Sequence, residues 1–547
     1  MKRTLVFILL CLVYAPSLLG DSTPNVPMED SVYRDVDKLI AAGLVKDTLY
    51  GQRPWSRREI GRIVGESWKR HESCESPYVT QILTRLRKKY HQELVDLGYV
   101  EGEKKGFRLT PLEQIRFDDT LLDSPFRPVP VTNNLGQIDA VINPLVENQE
   151  GRHFVDGNTL GLETIHQAQL SQYFSLYVRP RLEILVPNTG SSQVNPVVQQ
   201  LYGKAAYRNF EIEVGRDSLV WGQGESGGLI LSNNARPLDM VKLGTGSPFL
   251  LPSILQYLGP NSFKIFFAEL GPERDHPHAI LTGYKWSIKP TGFFELGLNH
   301  VVIMGGDGAQ DPGFWEAIGE FSGLLSAVTS NKRQVDGGAL TNRLFSLEGR
   351  LTLPFLRNSL LYGEVGFDDS NKRPKILFED DGMYDVGIYI PRLADDGSAD
   401  LRLEYKHIPA VSYRHSVYYS GFVLNRKILG DELGPDSDGV SVRFNKDIHE
   451  SFLFSSAIAY ERRDSDLFEA RTEGFDTVEI AQIQNNPAEH RYRLENGVSW
   501  RPRSKPGLLV QARIGYERVL NFNFLQGVGM DNFIGQVVFA FEPPIFQ

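Results

Sequence analysis

The chain has 547 residues and a formal net charge of −10 at pH 7, so its length allows more than one domain. The acidic balance argues against a nucleic-acid partner, which normally requires a basic surface. After the N-terminal leader, no stretch approaches the roughly 20 apolar residues in a row that a membrane-spanning helix needs. Helical membrane spans and a nucleic-acid-binding role are therefore excluded. A mean hydropathy of −0.26 still suits a membrane barrel, because only alternate strand residues of a barrel face lipid.

Residues 1–20 have the pattern of a secretory signal peptide. Two cations, Lys2 and Arg3, precede a short apolar run, and the small residues Ser17 and Gly20 are the expected cleavage points. The apolar run is too short to span a bilayer as a helix. We therefore expect the chain to be exported and the leader to be removed.

Residues 21–109 are predicted to form a small helical bundle. Three helices are expected to begin after Ser31, Ser56 and Ser76, because each of these residues precedes apolar side chains at helical spacing. The third helix is expected to continue to Gly98. The helices are expected within residues 29–98, and a unit of about 70 residues is marginal on its own, so we expect it to dock against a larger domain. We expect it in the periplasm, where the termini of barrel proteins usually lie.

From about residue 110 the helical spacing gives way to alternation of apolar and polar side chains. Between Phe174 and Val186 the even positions are apolar, and the odd positions carry Ser175, Tyr177, Arg179, Arg181 and Glu183. Thirteen residues at about 3.3 Å each can cross a bilayer as a tilted strand. The alternation recurs to the C-terminus. Residues 110–547 are therefore predicted to form a transmembrane antiparallel β-barrel, and 16 to 18 strands would leave roughly 24 to 27 residues for each strand with its connection.

A glycine-rich segment followed by polar side chains lies at residues 215–237. Trp221 offers an aromatic face for a sugar ring, whereas Asn233, Asn234 and Arg236 offer planar groups for hydroxyls and carboxylates. These four residues are our candidate ligand-binding residues, and Arg236 suits the carboxylate of a uronic acid. The alternative is structural: the glycines form a tight loop folded into the lumen, and Arg236 binds a lumenal carboxylate.

This segment resembles the capsule assembly Wzi family of outer-membrane proteins, in which a W-G-x-G segment precedes an S-N-x-A-R-P-like segment. Residues 32–60 look like the helical start of that family, and residues 415–434 are similar to its later Tyr-rich pattern. The resemblance implies a barrel of about 18 strands in the outer membrane, preceded by a periplasmic helical bundle. It also implies a lectin-like role in attaching or assembling capsular or exported polysaccharide at the cell surface.

Three functions are compatible with the sequence: a polysaccharide-binding barrel, a diffusion porin, and a barrel enzyme that acts on envelope glycans. The resemblance favours the first. No carboxylate pair stands out as catalytic, and no H-E-x-x-H helix occurs. We therefore expect no catalytic residues, metal or cofactor. The expected partners are the polysaccharide and outer-membrane lipid, and the chain is expected to be a monomer.

Overall fold

The computed structural model describes residues 22–73, 76–131, 135–310, 312–323, 341–368, 378, 380–449, 451–473, 476–505 and 507–543. The signal peptide predicted at residues 1–20 lies outside the described residues. No described helix is long and apolar enough to cross a membrane.

A helical region precedes the barrel. Its helices are Val32–Ala41 (α1), Arg57–Lys69 (α2), Pro77–Lys89 (α3) and His91–Asp96 (α4). The hydroxyls of Ser56 and Ser76 accept the backbone N–H three residues later and so cap α2 and α3. The helix expected to reach Gly98 is instead two helices, because Tyr90 leaves the helical range (φ −107°, ψ 26°). Its ring is buried in the bundle's own apolar core.

Eighteen strands of the described chain close into one antiparallel barrel. They are Arg108–Asp123 (β1), Gly157–Ser171 (β2), Phe174–Pro187 (β3), Gln193–Tyr207 (β4), Phe210–Asp217 (β5), Leu238–Thr245 (β6), Asn261–Glu269 (β7), Ile280–Thr291 (β8), Phe294–Met304 (β9), Thr341–Leu353 (β10), Ser359–Asp368 (β11), Gly382–Ile390 (β12), Ala399–Ile408 (β13), Ser437–His449 (β14), Phe452–Arg463 (β15), Glu489–Trp500 (β16), Leu508–Leu520 (β17) and Gly529–Phe541 (β18). Strand β1 pairs with both β2 and β18, so the sheet has no free edge. The prediction of a closed barrel of about 18 strands is confirmed.

The barrel wall is apolar outside and polar inside. On β3 the side chains of Leu176, Leu182 and Val186 are exposed, whereas those of Arg179 and Glu183 are buried. Exposed apolar side chains lie all around the wall and include Phe117, Leu162, Val214, Phe267, Leu347, Val386, Leu403, Ile458, Ile514 and Phe539. Such a wall is suited to contact with lipid.

The two ends of the barrel differ in the length of their connections. One end has two-residue turns, such as those between β2 and β3, β4 and β5, and β8 and β9. We call it the short-turn end. The other end carries most of the long connections, including residues 124–156, 218–237, 305–340 and 409–436, and we call it the long-loop end. Outer-membrane barrels place their short turns in the periplasm and their longer loops outside the cell.

Candidate functional site

Two loops fold into the lumen at the long-loop end, and together we call them the plug: residues 218–237 and 409–436. Their apolar side chains form one buried cluster, in which Leu229 meets Tyr413. The hydroxyl of Tyr413 donates to the carbonyl of Leu229 at 2.6 Å, and the hydroxyl of Ser232 donates to the carbonyl of Gly430 at 2.5 Å. The plug is therefore a packed core within the barrel.

The glycines of the plug are required for close backbone contact. Gly222 has φ +127°, and a Cβ added there would lie 2.3 Å from the Cα of Gly228. A Cβ on Gly228 would lie 2.6 Å from the backbone carbonyl oxygen of Trp221. No side chain larger than hydrogen fits such distances without movement of the backbone. The glycine segment is thus a tight loop folded into the lumen, as the structural alternative predicts.

Trp221 lies inside the plug and is only 1% exposed. Its ring packs edge-on against Phe266 of the barrel wall with ring centroids 5.4 Å apart. Its backbone pairs with Gln52 of the N-terminal segment. The buried placement contradicts the prediction that Trp221 offers an open face to a sugar, because packing against distant parts of the chain covers the ring.

The two asparagines join the plug to the loop of residues 124–156. Asn234 is buried, and its side-chain amide donates to the carbonyl of Ile428 at 3.0 Å. Asn233 is half-buried, and its side-chain amide donates to the carbonyl of Asn148 at 3.3 Å. The side chain of Asn234 therefore belongs to the packed interior of the plug, whereas part of the Asn233 side chain is exposed to solvent.

Arg236 lies at the rim of the long-loop end, with its side chain 21% exposed. Its Nη1 donates to Oδ2 of Asp239 at 3.3 Å, while Arg216 holds the same carboxylate through two bonds of 2.8 Å. Burial and the neighbouring Arg216 lower the pKa of Arg236. Two guanidinium groups thus share one carboxylate. Arg216 and Asp239 occupy outward-facing positions on β5 and β6, so the lumenal partner expected in the structural alternative is not the one observed.

Paired charges line the lumen between the plug and the helices. Arg179 is completely buried and contacts Glu29, Glu150 and Glu163 at 2.5, 2.9 and 2.7 Å. The charges at odd positions of β3 are visible in the sequence, but a partner such as Glu29, 150 residues before Arg179, leaves no local signal. Two small cavities, of about 50 and 10 Å³, lie near Trp55 and near Arg236. Their volumes suit water and not a sugar ring.

The N-terminal region closes the short-turn end. Arg34 and Lys38 of α1 each contact Asp400 of β13 at 2.8 Å. Deeper in the lumen, the side-chain amide of Asn25 donates to Glu213 at 2.8 Å and to Asp217 at 2.7 Å. The helical region therefore covers the barrel mouth, and the segment before α1 enters the barrel.

Known proteins resemble this chain over most of its length. The Escherichia coli structure of Wzi, described as an outer-membrane protein involved in group 1 capsule assembly and as a carbohydrate-binding β-barrel, has a TM-score of 0.63 at 17% identity. The match covers 95% of this chain and 99% of that chain. The Pseudomonas aeruginosa outer-membrane protein OprD has a TM-score of 0.40 at 11% identity, covering 81% of this chain and 96% of that one.

A Klebsiella pneumoniae protein, described as an uncharacterized 55.8 kDa protein in the cps region, is 27% identical over 181 residues. That match covers 32% of this chain and 34% of the relative, so the chain spans about a third of the relative's length. The closed barrel with its apolar outer wall is an outer-membrane protein. Residues 137–532 match the family described as Capsule assembly protein Wzi. Because this match covers well over half of the sequence, the chain belongs to the Wzi capsule assembly family.

Proposed function

We propose that the protein is a polysaccharide-binding barrel that helps to attach or assemble capsular or exported polysaccharide at the cell surface. The family and the description of the Escherichia coli relative support this role. The structural observation that carries the proposal is the plug, which packs inside the barrel at the long-loop end, opposite the helices at the short-turn end. A plugged barrel leaves the outer surface of the long-loop end as the place for a long glycan.

Within that surface we propose Arg236 as a glycan-binding residue, with Asn233 beside it. Among the described residues, the ionic partner of the Arg236 guanidinium is a carboxylate that it shares with Arg216, so Arg236 can still take an acidic sugar. Its planar donors match a carboxylate in two parallel hydrogen bonds. We assign Trp221 and Asn234 to the packing that holds this rim in place.

Binding of an acidic capsular polysaccharide to the purified barrel tests this assignment. Arg236→Gln should weaken retention by about 10- to 150-fold, the loss expected for one charge-assisted hydrogen-bonded pair. Arg357→Gln is the matched control, because Arg357 is 52% exposed and pairs with Asp395 at the short-turn end. Equal retention by both variants would remove Arg236 from the site.

Two alternative functions have direct tests. A diffusion porin would give large, steady conductance in a planar bilayer, and we expect the protein to give none. An enzyme would shorten capsular glycan during incubation with the purified barrel, and we expect the chain length to stay constant. Either contrary result would replace the lectin-like role, which we propose to be carried out by a monomer without catalytic residues.

A further inference from the structure

A short helix lies on the outside of the barrel wall. This helix, Phe314–Ser322 (α5), follows β9 at the long-loop end. The ring of Phe321 stacks on Phe267 at 6.0 Å and meets Tyr284 edge-on at 5.5 Å. Phe267 and Tyr284 alternate along β7 and β8 with the buried Phe266 and Lys285, so they belong to the outer face. The helix therefore packs on the face that meets lipid.

An ion pair fixes α5 to the wall. Glu320 is 6% exposed, and its Oε2 lies 3.2 Å from Nη1 of Arg343 on β10. The hydroxyl of Thr341 donates to the same oxygen at 3.0 Å. On β9, the outward-facing His300 is buried as well. Polar groups on a barrel's outer face are costly where they meet hydrocarbon, so the helix shields a polar part of the wall.

The first turn of α5 is apolar and exposed. Phe314 and Trp315 are 72% and 71% exposed and lie in the first turn of the helix. Strand β8 has 12 residues, close to the length that crosses a bilayer as a tilted strand. Tyr284, the contact point of the helix, is four residues from the long-loop end of β8. The helix is therefore placed at the level of the outer leaflet, where tryptophan is favoured.

We propose that α5 is an interfacial helix whose partner is the lipid of the outer leaflet. Phe314 and Trp315 insert between lipid molecules, and the pair formed by Glu320 and Arg343 holds the helix against the wall. The helix thereby keeps residues 312–323 at the membrane surface. This inference rests on the barrel's apolar wall and is independent of glycan binding.

Fluorescence quenching by lipid tests the proposal. The Trp315→Cys substitution is made in the full chain without its native cysteines, and the new cysteine is labelled with a nitrobenzoxadiazole fluorophore. The labelled protein is placed in phosphatidylcholine vesicles. One set of vesicles has bromine on the acyl chains, and the other does not. Leu347→Cys on the exposed outer wall is the lipid-facing control. Tyr419→Cys, in the plug loop and 52% exposed, is the water-facing control. Heat-dependent migration on a gel identifies the folded barrel for each variant.

We expect brominated lipid to quench the label at position 315 about as strongly as the label at Leu347, and to leave the label at Tyr419 bright. Phe314→Cys should give the same result and serves if the Trp315 variant does not fold. Labels at both helix positions that behave like the one at Tyr419 would overturn the proposal. A second result would also overturn the proposal: brominated lipid does not quench the label, and its emission changes with the protein-to-lipid ratio. That result would show that a second copy of the protein covers the helix.

Discussion

Arg179 is a buried side chain that contacts three carboxylates. Its three carboxylate partners come from the N-terminal segment, from a loop and from the neighbouring strand β2. Breaking a buried network by removing one partner typically costs about 3–5 kcal/mol, because the remaining charges lose their compensation. An exposed ion pair contributes about 0–1 kcal/mol. The difference between the two cases can be measured within this chain.

Arg179→Met should therefore lower the free energy of unfolding by about 3–5 kcal/mol. The matched control is Arg426→Met, because Arg426 and its partner Asp139 are each 57% exposed. The control should lose less than about 1 kcal/mol. Guanidinium unfolding in detergent, followed by tryptophan fluorescence, measures both variants. Equal losses would show that the lumenal network does not stabilise the barrel.

Asp436 makes the stability of the plug depend on pH. Burial and the nearby Asp464 and Asp466 raise its pKa to about 7, against an opposing effect of Arg414. A carboxyl group with a raised pKa binds more protons in the folded state than in the unfolded state. Its contribution to stability is therefore complete below the ordinary value of 3.8 and declines as the pH rises to about 7. Above that pH the loss stays constant.

Asp436→Asn should consequently flatten the pH dependence of thermal stability between about pH 4 and 7. Heat-dependent gel migration at a series of pH values measures the midpoint. Asp395→Asn, at a side chain 92% exposed, should leave the wild-type pH profile unchanged. A profile for Asp436→Asn that still falls as steeply as the wild-type profile would assign the effect to other groups.

At the scale of helices and strands, the sequence predicts the features that depend on residues close together along the chain. The alternation in β3 identifies both faces of the strand, because side-chain direction along a strand is a local property. Ser56 likewise predicts the start of α2. The sequence does not predict that Trp221 is buried, since its contacts with Phe266 and Gln52 join distant parts of the chain. The sequence therefore proposes the residues of the candidate site, but it does not separate the open residues from the packed ones.

The tight turn at Gly222 should be disrupted when a single methyl group is added to this residue. Gly222→Ala places a Cβ 2.3 Å from the Cα of Gly228 at a φ of +127°. We expect a loss of roughly 1–3 kcal/mol from backbone strain alone, and a lower midpoint of heat-dependent migration. Gly535→Ala is the control, because no atom lies within 4 Å of its added Cβ. Equal midpoints for the two variants would show that the plug tolerates a wider turn.

At the scale of the whole molecule, the structures that close the two ends meet inside the barrel. Gln52 and Arg53, which precede α2, pair with Trp221 and Val220 of the plug. The guanidinium of Arg53 also donates to the carbonyl of Gly224 at 2.7 Å. The N-terminal region and the plug thus share a short sheet in the lumen. Movement of one would break hydrogen bonds of the other, so the two closures are coupled.

The orientation of the barrel is the prediction that concerns the whole molecule. We propose that residues 21–109 form a periplasmic helical bundle and that residues 110–547 form the barrel, with residues 1–20 as the signal peptide. Short turns face the periplasm in outer-membrane barrels, and the helices lie at the short-turn end. Arg471, 61% exposed, lies in a hairpin at the long-loop end, whereas Lys104 is exposed just before β1.

A maleimide that cannot cross membranes should therefore label Arg471→Cys on intact cells, in a chain without its native cysteines. The same reagent should label Lys104→Cys only after the outer membrane is permeabilised, because that position is expected in the periplasm. Both variants must show heat-dependent migration, which identifies folded barrels. Labelling of Lys104→Cys on intact cells would place the helices outside the cell. The plug and Arg236 would then face the periplasm, where they could not hold a surface polysaccharide.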